Sequence, residues 1–269
     1  MSVQWLGGSS SELDELVQRS LKRTHVMTPG HDQHQWQWDL IMAVLRWPSD
    51  QLQRIGNATY RLFIRRLVHF YKPSADMFVK TSNDHAKARQ EAETMMLLAQ
   101  FLLHVPESDS GRHLEELLMD VVLHLKTIAS KYPVHDSLLS VNAVSTTCSH
   151  YYFLLLGVLS RTSKGHHMLK QAGIFELLLD IVKEMTANDI YIKLIVSSLD
   201  YSIDGLNRTV LEVVLRQEAC LSGRLYATGL LRAMVRCQSC PHTLRWIIQQ
   251  LVKQLYDSNA QVNLHSTVT

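Results

Sequence analysis

The sequence predicts an all-α protein, an armadillo- or HEAT-like helical-repeat solenoid. Three observations predict it. First, between His150 and Leu206 three apolar runs, 152–159, 174–182 and 192–199, are joined by short polar breaks. Leu154, Leu155, Val158 and Leu159 recur at helical spacing, as do Leu177, Leu178, Ile181 and Val182. Second, Gly165, a short turn at 166–171 and Gly173 separate a short helix from a longer apolar one, which is how an armadillo unit reverses its chain. Third, 11 Gly and 6 Pro in 269 residues are too few for the tight turns of an all-β chain. The steps from Gly173 to the region of Leu206 and on to Leu244 are ~40 residues each, the length of such a unit.

The remaining elements follow in order. Ser11 reads as the cap of a helix over 12–22, with Asp14 completing a Ser-x-x-acid box and Leu13, Leu16, Val17 and Leu21 inside. Pro29-Gly30 marks a loop. A second helix, 35–46, carries Trp36, Leu40, Ile41, Val44 and Leu45 and stops at Trp47-Pro48, because a residue before proline avoids the α region. Ser49 caps a third, 50–71, with Leu52, Ile55, Tyr60, Phe63, Leu67 and Phe70 inward and a kink at Gly56-Asn57. A polar connector spans 74–86. Helices over 87–105 and 112–130 flank the loop 106–111, and 131–148 reads as a loop plus a short helix. Beyond Leu206, helices are expected at 207–217 and 220–237, then from Pro241 at N1 through residue 256. Leu244, Ile247, Ile248, Leu251, Val252 and Leu255 form the expected buried face of that last helix, and 260–269 is expected to be loose. The total is about ten helices and no strand.

Composition narrows the function classes. Apolar residues at 46% indicate a folded chain, and a net charge of +2 supplies no general drive toward nucleic acid. The N-terminus lacks the basic and apolar regions of a secretory signal, and the longest apolar run is about half the ~20 residues that span a membrane. Four cysteines make no disulfide framework, so a cytoplasmic, reducing location is expected.

Few motifs suggest chemistry. Cys237-x-x-Cys240 with His242 lacks the further ligands zinc needs and the strand–helix context of a redox motif, so it reads as two cysteines at a helix junction. His31-x-x-His34 and His166-His167 are close pairs in a chain with 14 His, outside any His-Glu-x-x-His arrangement. No phosphate loop, nucleophile elbow or paired carboxylates are present, so neither a metal nor a catalytic residue is expected. The Trp36/Trp38 and Tyr151/Tyr152/Phe153 stripes read as packing.

Charge placement is more informative. From 51 to 75 the chain carries Arg54, Arg61, Arg65, Arg66 and Lys72 with no acid, and Arg61 and Arg65 are i,i+4 neighbours. Two readings stand: a solvated helix face, or a site for a phosphorylated or acidic ligand, whose geometry suits guanidinium groups. A second acid-free stretch, 219–256, spreads Arg224, Arg232, Arg236, Arg245 and Lys253 over two helices and reads as a diffuse basic partner face.

Several strings together resemble one known family. WQWDLIMAVLRWP (36–48), RRLVHFYKPS (65–74), SHYYFLLLGVLS (149–160), KLIVSSLDYSIDGL (193–206) and GRLYATGLLRAMVR (223–236) are similar, in order, to the central armadillo region of the Rictor family. The resemblance implies a non-catalytic scaffold of target of rapamycin complex 2. Its implied partners are the TOR kinase, the stress-activated-kinase-interacting subunit and AGC kinases. It also implies N-terminal repeats at 1–148 and middle-domain-like repeats at 149–269, as a fragment or short form of a longer protein whose tail VNLHSTVT departs from the family. The family carries a peripheral nucleotide site with an Arg-x-x-Arg-Arg pattern and an Asn before the Trp-x-Trp helix. Arg65 and Arg66 match that pattern here; Leu62 stands at the first arginine with Arg61 beside it, and Gln33 at the Asn. The resemblance thus implies a structural ATP or inositol phosphate. The competing expectation is an armadillo-type adaptor of another pathway, although no Asn/Trp ladder of the kind that grips basic peptides is evident.

Overall fold

The computed structural model describes residues 10–28, 33–47, 57–104, 110–130, 137–184, 189–216, 219–237 and 239–267. Every regular element among them is a helix. The α-helices are α1 (Ser10–Arg23), α2 (Trp38–Leu45), α3 (Asn57–Tyr71), α4 (Ala88–His104), α5 (Ser110–Ala129), α6 (Val141–Thr146), α7 (Tyr151–Ser160), α8 (Ser163–Gln171), α9 (Ile174–Glu184), α10 (Asp189–Ser198), α11 (Leu206–Val214), α12 (Leu221–Cys237), α13 (Pro241–Gln254) and α14 (Ala260–Ser266). Short 3-10 turns occupy Gln33–Gln35, Pro73–Ala75, Phe78–Lys80 and Cys148–His150. None of the described helices is long and apolar enough to cross a membrane. Contacts divide the chain into two compact units, Met1–Asp120 and Val121–Thr269.

In the first unit, α2 packs on α1 and on α4. α3 turns Tyr60, Phe63, Ile64, Leu67, Val68, Phe70 and Tyr71 inward, at the spacing of one helical face. Phe70 is the hub. Its ring lies 5.4 Å from Trp36, 5.3 Å from Trp38, 4.9 Å from Tyr71 and 6.0 Å from Phe78. The Tyr71 hydroxyl donates to the Glu91 carbonyl at 2.7 Å, tying α3 to α4. The tryptophan pair is therefore core packing, as its spacing suggested. The stretch expected to be a polar connector is not merely polar: Phe78 and Val79 are buried, and two 3-10 turns carry them under α3. α1 starts at Ser10, so Ser11 lies inside it and is not its cap; Leu16 is exposed, while Val17 and Leu21 are buried. The proposed Ser49 cap, Leu52, Arg54, Ile55 and the Gly56 kink lie outside the described residues, as do Pro29, Gly30 and His31.

The second unit shows the repeat logic directly. α7 packs on α10, α10 on α12, and α12 on α14, while α9 packs on α11. Each of α7, α9, α10 and α12 thus rests on a later helix that is not its immediate successor, as successive units of a helical-repeat solenoid do. Gly173, at φ +71°, supplies the left-handed residue that reverses the chain from α8 into α9. Gly165 instead sits inside α8, whose cap is Thr162, accepting the Gly165 N–H at 3.1 Å; the expected turn at 166–171 is helix. α7 is buried on nearly every side, through Tyr152, Phe153, Leu155, Leu156 and Leu159, while Leu154 is exposed. Its expected one-sided stripe is wrong because neighbours cover both faces. Gly157 lets α7 approach α10 closely: a Cβ there would sit 1.9 Å from the Ser198 carbonyl oxygen.

Buried polar contacts bind α11, α12 and α13. Arg208, 3% exposed, donates from Nε to the Tyr201 carbonyl at 3.0 Å and from Nη2 to Thr243 Oγ1 at 3.3 Å, and lies 4.7 Å over the Trp246 ring. Trp246 Nε1 and Gln250 Nε2 both donate to Glu212 Oε1, at 2.9 and 3.0 Å. Arg224 forms a buried ion pair with Asp257, so it leaves the basic face the sequence suggested. Pro241 opens α13 as expected, but the inward face is Thr243, Trp246, Ile247, Gln250, Leu251 and Gln254; Ile248, Val252 and Leu255 are exposed. Thr243, Trp246 and Gln250 face inward there because Arg208 and Glu212 of α11 offer them partners. The tail expected to be loose forms α14, capped by Asn259 and anchored by the fully buried Val262.

Replacing Gly157 with Ala should destabilise the fold by about 1–3 kcal/mol, because the new methyl meets backbone that cannot move aside. Gly229→Ala, with nothing within 4 Å of its Cβ, should be neutral or stabilise by up to ~1 kcal/mol. Urea unfolding followed by circular dichroism compares the two.

Candidate anion cleft

One side of α3 is the core face already described. The other carries Arg61, Leu62, Arg65 and His69, all exposed, with Arg66 half-buried at the border. Beside that outer face runs the start of α5. Between them lies an open cleft of about 910 Å³, lined by Ala58, Arg61, Leu62, Arg65, Arg66, Val68, His69 and Lys72 from the α3 side and by Arg112, His113 and Glu116 from α5. Five of the lining side chains carry fixed positive charge and one, Glu116, carries negative charge. Such a concentration of cations in a concavity attracts and holds anions, and guanidinium forks favour phosphate or carboxylate oxygens.

The cations are not equivalent. Lys72 Nζ lies 3.1 Å from Glu116 Oε2, so these two bridge the end of α3 to α5 and offset each other's charge. The Ser74 N–H donates to Asp120 Oδ2 at 2.9 Å one turn further along α5, fixing the same junction. Arg66 Nη1 donates to the Val26 carbonyl at 2.7 Å, bracing the loop after α1 against α3. Arg65 and Arg112 remain exposed on opposite walls of the cleft.

The structure brings together Arg61, Arg65 and Arg66 from the sequence-derived set. Gln33 sits half-buried in the 3-10 turn before α2 and is not among the lining residues. Arg54 lies outside the described residues. Arg112, His113 and His69 were missed. The acid-free run around α3 signalled its own helix, but nothing in the sequence says which later helix packs beside it, and Arg112 opens a stretch whose Glu115, Glu116 and Asp120 read as an acidic face. Among the described residues, no three His, Cys, Asp or Glu side chains converge in a way that could hold a metal ion.

Comparison with known proteins gives these features a context. Residues 130–235 match the family model "Rapamycin-insensitive companion of mTOR, middle domain". The chain is 37% identical over 231 residues to the human protein named "Rapamycin-insensitive companion of mTOR", covering 85% of this chain and 13% of that relative. It is 29% identical over 258 residues to "Target of rapamycin complex 2 subunit ste20" of Schizosaccharomyces pombe, covering 93% and 19%. It is 25% identical over 263 residues to "Protein pianissimo A" of Dictyostelium discoideum, covering 93% and 23%. The chain therefore spans less than a quarter of the length of each of these relatives.

Because Arg66 serves the fold through Val26 and Arg65 does not, the two should separate in stability. Arg66→Ala should cost about 1–2 kcal/mol, the loss of a charge-assisted bond to a carbonyl. Arg65→Ala should stay within about 0.5 kcal/mol of the parent in thermal unfolding.

Proposed function

Taking as premise that the chain belongs to the family of the rapamycin-insensitive companion of mTOR, we propose that it is a non-catalytic scaffold segment of target of rapamycin complex 2. The observation that carries this reading is similarity over 85% of the chain to a protein named as a companion of mTOR and over 93% of it to one named as a target of rapamycin complex 2 subunit. The helix ladder of the second unit supports it physically. Stacked repeats present long, stiff surfaces on which other chains dock, and they need no catalytic apparatus to do so. Its partners in this reading are the TOR kinase, the stress-activated-kinase-interacting subunit and AGC kinases, assembled in the cytoplasm. Affinity purification of the native full-length protein should recover the kinase. Its repeated absence, with the kinase expressed, would remove the proposal.

A second role belongs to the α3–α5 cleft. It would hold a polyphosphate, ATP or an inositol phosphate, as a structural ligand, with Arg61, Arg65 and Arg66 as phosphate contacts and Arg112 facing them. The concentration of cations favours this reading over a merely solvated helix face. Gln33, half-buried before α2, stays in it as a peripheral contact implied by family resemblance alone. Calorimetry with ATP and with inositol hexakisphosphate tests it. Binding should weaken about tenfold for Arg65→Ala and again for Arg112→Ala, each removing contacts to a charged group. It should also fall as salt is raised. Absence of binding, or binding indifferent to both substitutions, would leave the arginines as a solvated face.

A further inference from the structure

Between the C-terminal ends of α11 and α13 lies another, smaller cleft. Its volume is about 430 Å³, within the ~300–1,000 Å³ of small-molecule pockets. Glu212, Leu215 and Arg216 line it from the α11 side, and Gln250, Lys253, Gln254 and Asp257 from the α13 side. We infer that this cleft binds a free α-amino acid, its carboxylate held by Arg216 and Lys253 and its ammonium by Gln254 and Glu212.

The hydrogen bonds already made show which groups are left for a ligand. Glu212 Oε1 accepts from Trp246 Nε1 at 2.9 Å and from Gln250 Nε2 at 3.0 Å, which holds the two walls side by side. Gln250 Oε1 in turn accepts from Lys253 Nζ at 3.3 Å. Asp257 is fully engaged. Its Oδ2 pairs with Arg224, and its Oδ1 accepts the Asn259 N–H at 2.8 Å. Gln254 differs. It is 6% exposed, and its Oε1 is buried with no hydrogen-bond partner. A buried acceptor without a donor is costly and uncommon in a folded protein, so it marks a place for a donor from outside. Glu212 Oε2 also accepts nothing among the described residues. At the mouth, Arg216 is exposed and makes no ion pair among the described residues. Lys253 uses one of its three donors on Gln250.

What remains is a matched set: two cationic donors at the mouth, and an amide acceptor with a carboxylate in the same lining. The first pair takes a carboxylate, to which guanidinium and ammonium groups donate strongly. The second takes a nitrogen donor, and the Glu212 charge favours that nitrogen as an ammonium. Lys253 and Gln254 are successive residues of α13, which suits a ligand whose two charged groups sit on a single carbon. The buried Leu215 adds apolar surface for the ligand's side chain. Charge balance separates this cleft from the one beside α3. There five cations face one acid, which suits a polyanion. Here two cations and two carboxylates share the lining, so a polyanion gains little and a zwitterion keeps the balance.

The test is calorimetric titration of the intact chain with each of the common L-amino acids at millimolar concentration. At least one should bind at a single site. Its affinity should fall about tenfold in Arg216→Ala, which removes a charged donor, and about tenfold in Gln254→Met, which keeps the side-chain volume and removes the acceptor. Arg216 is exposed and lies beyond the end of α11, so its loss reads on the ligand and not on folding; circular dichroism should confirm the parent's helix content in both variants. For the amino acid that binds, the carboxamide and the N-acetyl derivative should each lose binding, since each lacks one of the two charges. Arg65→Ala, in the cleft beside α3, should leave binding unchanged. No binding by any of the amino acids, binding kept in both cleft variants, or an N-acetyl derivative that binds equally well, as the C-terminus of a peptide would, would each overturn the inference.

Discussion

The packing of aromatic rings around Phe70 is the constraint on which the candidate cleft depends. α3 must bury Phe63, Leu67, Phe70 and Tyr71 on one side, and once that side is fixed the helix period leaves Arg61, Arg65 and His69 nowhere but outward. Trp36, Trp38 and Phe78 close on Phe70 from separate elements. They set the rotation of α3 about its own axis as well as its position. The Lys72–Glu116 pair and the Ser74–Asp120 hydrogen bond then hold the start of α5 beside that outer face. The cleft is the space left between an aromatic core that fixes one wall and a polar junction that fixes the other.

The second unit solves a different problem. Its helices rest on one another in sequence-local steps, and the rows are joined by polar contacts that are buried or partly buried. Arg208 bonds to backbone carbonyls and to Thr243 while lying over Trp246, and Glu212 receives both Trp246 and Gln250. Buried charges of this kind contribute little net stability compared with apolar packing, yet removing one partner is costly. Their effect is to select one register between neighbouring helices. That is what a scaffold requires, because its docking surfaces are useful only if successive repeats keep a fixed relation.

Much of the fold was legible in the sequence, for identifiable reasons. Helical periodicity and scarce Gly and Pro gave the all-α class, and Gly173 marked a true chain reversal with its positive φ. Pro241 marked a true helix start. What failed was whatever depended on neighbours. The outward Ile248, Val252 and Leu255 looked like core because apolar spacing cannot reveal that Glu212 and Arg208 of α11 wait for polar partners on the opposite face. α14 looked loose because a short polar tail with a single anchoring Val262 has almost no pattern to read. Half of the cleft was legible for the same reason: Arg61, Arg65 and Arg66 share one helix, whereas Arg112 joins them only through tertiary packing.

The central claim is that the face made by α3 and the start of α5 is where this part of the chain meets a polyanionic ligand. Hydrogen–deuterium exchange with and without inositol hexakisphosphate tests it most directly, since it reads every helix at once. The account predicts slower exchange in α3, in the first turns of α5 and in the Pro73–Ala75 turn, with the helices of the second unit unchanged. Protection confined to α12 and α13, or no change anywhere at saturating ligand, would contradict it.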